Sequence, residues 1–178
     1  MDGWFFAYGS LMWDPEVPVI RRAEARLDGY ARSFCLLSMR HRGTPQAPGL
    51  VLGLEESLGA SCSGLAFQVA QADWDDALAL LRERELVTGA YRETLLPVAL
   101  ADGQRVEAVA YVMRSGHPQH VTGLTPRAQA EMIAHARGGR GANAEYLFNT
   151  VSQLQQLGMP DPDLDGLAGL VRQMLSTA

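Results

Sequence analysis

Apolar positions along the first half of the chain come in short dense runs, and in the second half they recur at helical spacing. Residues 4–8 are aromatic and apolar with no charge, the pattern of a buried strand. Gly9-Ser10 breaks that run before the apolar Leu11-Met12-Trp13, and a Pro-bearing loop covers residues 14–18. Residues 25–37 read as extended, and residues 40–49 as a long loop rich in Gly and Pro. Residues 50–54 and 64–69 each predict a short strand, with residues 59–63 as a hairpin loop between them. Asp73 then predicts an N-cap for a helix over residues 74–85, with Asp75 and Asp76 in the first turn where the helix dipole favours negative charge. That helix ends near Thr88-Gly89. Residues 91–100 and 105–113 flank Asp102-Gly103 as a β-hairpin. In the last third, Thr125 caps a helix opening on Pro126, Gly138-Gly139-Arg140-Gly141 breaks it, and two more helices cover about residues 143–157 and 164–175. The sum predicts an α+β fold: a mostly antiparallel, barrel-like sheet with helices on its flank.

The helix over residues 74–85 carries a chemical hint. At ~100° per residue, Trp74, Leu78 and Leu81 share one face, with Ala77 at its margin. Extending the stripe reaches Glu85, whereas Glu83 points to the opposite side with Asp76. A carboxylate on an apolar face is costly to ionise, which raises its pKa toward the range a general acid or base needs. Two plainer readings stand beside this one: the helix frays before Glu85, or Arg82 or Arg84 pairs with it. The turn after the first strand is also open to two readings. Tyr8-Gly9-Ser10 either ends a strand or aims successive backbone amides at an anion.

Composition narrows the classes. The chain has 178 residues, enough for one domain spanning residues 1–178 with its own core. A net charge of −5 argues against a nucleic-acid partner, although Arg40-His41-Arg42 makes a local basic patch. Long apolar runs and a basic leader are both missing, so neither a membrane nor export is expected and the cytoplasm is the expected compartment. Cys35 and Cys62 make no disulfide framework.

Other motifs lead nowhere. Gly59-Ala60-Ser61-Cys62-Ser63 lacks the last glycine of a nucleophile elbow and leads into a strand instead of a helix. Gly138-Gly139-Arg140-Gly141 lacks the lysine and hydroxyl ending of a phosphate loop. His117, His120 and His135 have no carboxylate or cysteine at ligand spacing, so no metal site is expected.

Four stretches taken together resemble the ChaC-type γ-glutamylcyclotransferases, which cleave glutathione in the cytosol. They are residues 6–13, 41–49, 84–91 and 139–148, in that order and across nearly the whole chain. The resemblance implies the γ-glutamylcyclotransferase-like fold. It places the γ-glutamyl-binding turn on Tyr8, Gly9, Ser10, Leu11 and Met12, and the catalytic glutamate on Glu85. Tyr91 and Tyr146 become candidate pocket residues, and Arg42 or Arg140 a candidate seat for the glycine carboxylate. Ala90 departs from the pattern, since many members carry glycine there before the tyrosine. The implied reaction is intramolecular aminolysis of glutathione to 5-oxoproline and cysteinylglycine, which requires no metal or other cofactor. Two alternatives are a cyclotransferase for a different γ-glutamyl amide and a non-catalytic γ-glutamyl-binding module.

Overall fold

The charge-free run near the amino terminus forms β1 (Gly3–Ala7), with Phe5, Phe6 and Ala7 buried. In this computed structural model residues 2–177 are described. A 3-10 turn (Ser10–Met12) follows β1, then β2 (Arg21–Ser38), β3 (Gly49–Val69), α1 (Trp74–Glu85), β4 (Tyr91–Leu100) and β5 (Arg105–Met113). The five strands close a barrel in the order β1-β3-β2-β4-β5. Pairing is antiparallel for β1 with β3, β2 with β4 and β4 with β5, and parallel where β1 meets β5 at Phe5 and Val109. This is the α+β, mostly antiparallel barrel that the sequence predicts.

The chain forms two compact units, joined where β2 and β3 pass from one to the other. The first holds the residues up to Arg32 together with Leu54–Arg114. Its core gathers Phe6, Leu27, Leu54, Ala66, Val98, Leu100 and Val112, and the Phe5 and Phe67 rings stack at 5.1 Å. Gly3 is required by packing, because a Cβ there would lie 2.1 Å from the Trp74 ring. The indole therefore seats α1 against the start of β1.

The second unit holds Ser33–Gly53 and the chain from Ser115 onward. Its helices α2 (Pro126–His135), α3 (Asn143–Gln156) and α4 (Pro162–Ser176) pack on one another. Thr125 caps α2 as expected, its hydroxyl accepting from Ala128 N–H. Between α2 and α3 the glycine-rich segment forms a minute hairpin of β6 (Arg137–Gly138) and β7 (Gly141–Ala142). The loop at residues 40–49 docks on this hairpin: Gly139 and Arg140 N–H donate to the carbonyls of Arg40 and His41. Asn143 then locks the unit, for its buried amide accepts from Leu50 N–H and donates to Leu50 C=O, each at 2.7 Å. Among the described residues no helix is long and apolar enough to cross a membrane.

Three local expectations need correction. Residues 59–63 are not a hairpin loop; β3 runs unbroken through them, with Gly59 in a left-handed conformation at φ +82°. Their side chains are mostly exposed, so they lack an apolar signal, yet pairing with β2 keeps the backbone extended. Asp73 does stand at the N-cap of α1, but its side chain makes no capping bond, because it closes a 3-10 turn (Gln71–Asp73) and its backbone is already helical. The last helix starts at Pro162 and not near residue 164, since Asp161 accepts from Leu164 N–H and sets the start two residues earlier.

Asn143→Ala should therefore strand two buried backbone groups of Leu50 and cost roughly 2–4 kcal/mol. Urea unfolding checks this, and a loss under ~1 kcal/mol would show that Leu50 finds other partners.

Candidate active site

Glu85 is the last residue of α1, on the side that buries Ala77 and Leu81, while Glu83 is exposed. The Glu85 side chain keeps 17% of its surface exposed. Burial pushes its carboxyl above the ordinary carboxylate range; the nearby Arg84 opposes that shift and the Glu16 carboxylate adds to it. The carboxyl also sits at the negative end of the α1 dipole, which disfavours its charge further. Beyond it, Leu86 N–H closes on Arg82 C=O, and Gly89 turns the chain at φ +70°. Ala90 needs no glycine: the left-handed step belongs to Gly89, and Ala90 is fully buried, accepting from Arg114 N–H.

The turn after β1 is built from its own backbone. Met12 N–H donates to Gly9 C=O, and Trp13 and Asp14 N–H both donate to Ser10 C=O. The amides of Ser10 and Leu11 make no hydrogen bond among the described residues, as expected at the start of a helical turn. Arg32 holds the turn from behind, donating to Tyr8 C=O at 2.8 Å and to Ser63 C=O. The Tyr8 phenol donates to Tyr111 C=O on β5 at 2.9 Å. Leu11 and Met12 are buried, so they anchor the turn by packing.

Arg84 joins the turn to the acid. Its guanidinium donates to Ser10 Oγ at 2.9 Å and lies 3.3 Å from Glu85 Oε1. It also donates to Asp14 C=O and pairs with Glu16, each at 2.9 Å. Tyr8, Ser10 and Glu85 are thus held in one constellation.

A second acid in the same unit has the opposite environment. Glu93 on β4 receives a two-pronged hydrogen bond from Arg82 at 2.7 and 2.8 Å, which holds its carboxyl below the usual range. The buried Tyr111 phenol donates to it at 3.3 Å. Burial lifts the Tyr111 phenol well above its ordinary pKa, and the charges of Glu93 and Glu85 add to that. The two carboxyls are thus pushed in opposite directions: Glu93 toward its ionised form by Arg82, and Glu85 toward its protonated form by burial.

The remaining candidates have contacts of their own. Tyr91 opens β4 nearly buried, and its carbonyl accepts from Arg114. Arg42 and Tyr146 meet in the second unit, with the guanidinium 5.5 Å from the ring and donating to Ala142 C=O. Arg140 is exposed. Sequence reasoning misses Arg32, Glu93 and Tyr111 and treats Arg84 only as a charge partner. A shallow cleft bounded by Pro15, Val17, Leu80 and Arg84 lies nearby, but neither Glu85 nor Gly9–Leu11 lines it.

The sequence profile of the ChaC-like protein family matches residues 3–174. The chain is 36% identical over 173 residues to the glutathione-specific gamma-glutamylcyclotransferase of Escherichia coli, covering 97% of this chain and 74% of that protein. It is 33% identical over 170 residues to human glutathione-specific gamma-glutamylcyclotransferase 1, covering 94% and 76% of the two chains. Gamma-glutamylcyclotransferase 2-3 of Arabidopsis thaliana is 32% identical, with 99% and 92% covered. In fold, the chain superposes with a TM-score of 0.85 on the crystal structure of a glutathione-specific γ-glutamylcyclotransferase from yeast, at 22% identity and covering 98% and 100%. The chain belongs to the ChaC-like protein family.

Proposed function

We propose that this protein cleaves glutathione by intramolecular aminolysis, releasing 5-oxoproline and cysteinylglycine, with Glu85 as the proton carrier. The observation that carries the reading is a largely buried carboxyl of raised pKa tied through Arg84 to the turn at Ser10. Its relatives named for this substrate support the choice of glutathione.

The α-amine of the substrate attacks its own γ-amide carbon, so nucleophile and electrophile arrive already joined. Holding the folded-back conformer is then the main task. Glu85 in its carboxylate form takes a proton from the α-ammonium and, as the C–N bond breaks, returns it to the departing cysteinylglycine amine. A raised pKa brings Glu85 nearer to the amine it must deprotonate, which strengthens it as a base. The Ser10 and Leu11 amides are suited to an anionic oxygen, either the α-carboxylate or the developing oxyanion. Tyr8, Leu11, Met12 and Tyr91 shape the pocket by packing. Neither Cys35 nor Cys62 is in a disulfide and both are buried, which suits the reducing cytoplasm as the compartment.

Incubation with glutathione should yield both products from the wild type and from Glu83→Gln, whereas Glu85→Gln should lose about 10²–10⁴-fold in rate. Consumption of γ-glutamyl-alanine with glutathione left intact would move the substrate to another γ-glutamyl amide. Failure on both would leave a γ-glutamyl-binding module.

Stability gives an independent check. A folded-state pKa above that of the unfolded chain means the native protein binds more protons between the two values, so stability falls as pH rises through that window. At pH 7 the wild type bears this cost, and Glu85→Gln does not. The variant should melt no lower than wild type at pH 7, and this advantage should close as pH falls below the ordinary carboxylate range. A variant less stable by the same margin at every pH would contradict the burial cost assigned to Glu85.

A further inference from the structure

Neighbouring residues on a helix point about 100° apart, so Arg84 and Glu85 have no geometric reason to meet. They do meet, because the Arg84 guanidinium reaches past the end of α1 and spreads over four groups. Nε lies 3.3 Å from Glu85 Oε1, Nη2 donates to Ser10 Oγ, and Nη1 donates to both Asp14 C=O and Glu16 Oε2. Three of these partners belong to the turn after β1 and the loop that follows it. Glu16 is also the one non-glycine residue with positive φ among those described, at +55°, a backbone cost that tends to persist at functional sites.

We propose that Arg84 is a positioning residue, a fork that fixes Glu85 and the substrate-seating turn in one geometry. The inference rests on the reading of Glu85 as proton carrier. A planar guanidinium does this where an ammonium does not, since its donors leave in fixed directions and reach several acceptors at once. Arg84 is only 26% exposed, so its charge is weakly screened; Glu16, at 61%, contributes less as an ion-pair partner than as a brace for the loop.

Arg84 also sets when Glu85 gives up its proton. The charged and titratable groups facing Glu85 are Arg84 on its own helix, Glu16 on the loop and the Tyr111 phenol on β5, behind which Arg82 and Glu93 pair with each other. Arg84 favours the carboxylate and Glu16 opposes it. Removing each should therefore move the Glu85 midpoint in opposite directions, which a purely structural role would not do.

The test uses Arg84→Met, Arg84→Lys and Glu16→Gln, with the Glu85 carboxyl titrated by ¹³C NMR, glutathione turnover followed against pH, and thermal melting to confirm folding. Arg84→Met should raise the midpoint, move the acid limb of kcat/KM to higher pH and lower kcat/KM about ten- to hundredfold. Arg84→Lys should keep the midpoint near wild type while KM rises, because the charge stays and the bond to Ser10 goes. Glu16→Gln should lower the midpoint. An unmoved midpoint in Arg84→Met, or equal damage from methionine and lysine, would overturn the proposal. If Arg84→Met does not fold, the lysine and Glu16 variants decide it by the same readouts. A wild type inert toward glutathione would overturn the proposed function instead, and the NMR midpoints would still decide whether Arg84 governs Glu85.

Discussion

Keeping an ionisable carboxyl at the buried end of a helix is the constraint around which the first unit is arranged. Glu85 loses most of its water because α1 lies on the apolar stripe that ends in it, and that stripe is fixed by Trp74 over Gly3. Without a counter-charge, burial would raise its pKa further. With a close, fully engaged partner it would stay ionised, as Glu93 does under Arg82. Arg84 sits between these limits: it divides its guanidinium among four acceptors and approaches Glu85 at 3.3 Å, longer than its 2.9 Å contacts to the loop. The result is a carboxyl whose pKa burial raises and Arg84 only partly brings back.

The same economy of contacts runs through the barrel wall. Arg32 on β2 holds Tyr8 C=O, and the Tyr8 phenol reaches Tyr111 C=O on β5. Glu93 and Tyr111 are direct cross-strand partners in the β4–β5 ladder. Gly64 on β3 passes so close to β1 that a Cβ would meet Ala7 C=O at 2.3 Å. The barrel strands thus fix the turn, the Tyr111 phenol and Glu93 relative to one another. Rigid strands hold such a constellation more tightly than loops do.

The helix wheel carries Glu85 because burial on α1 follows a plain period, and that period is written in Trp74, Leu78 and Leu81. The hairpin at Asp102-Gly103 is equally plain, but its register is not. A two-residue turn would set Glu93 opposite Val112. The real loop has three residues, with Gly103 left-handed at φ +89° and Leu100 N–H closing on Gln104 C=O, so Glu93 faces Tyr111. One residue of slip decides which side chains share a face, and this is why Glu93 and Tyr111 escape a reading of the sequence. The middle of β3 escapes for another reason, since a strand held by backbone pairing with exposed side chains has no apolar signature. Arg84 escapes because spacing along a helix does not say where a long side chain ends.

The four stretches that resemble the family divide on physical grounds into two kinds. Residues 6–13 and 84–91 present groups with capacity left over: unclaimed amides at Ser10 and Leu11, and an acid whose pKa burial raises. Residues 41–49 and 139–148 are closed on themselves. A Cβ on Gly43 would strike Gly49 N and one on Gly49 would strike Arg42 C=O, while Gly141 is left-handed at φ +103° and the Asn143 amide is engaged with Leu50. Arg42 is drawn into that closure through Ala142 C=O and the Tyr146 ring. A cation already committed on two sides is a poor first choice for seating a substrate carboxylate, since it would have to give up contacts to do so. Close packing thus accounts for Gly43 and Gly49 in those stretches, while the unclaimed amides of Ser10 and Leu11 and the raised carboxyl of Glu85 lie in the other two.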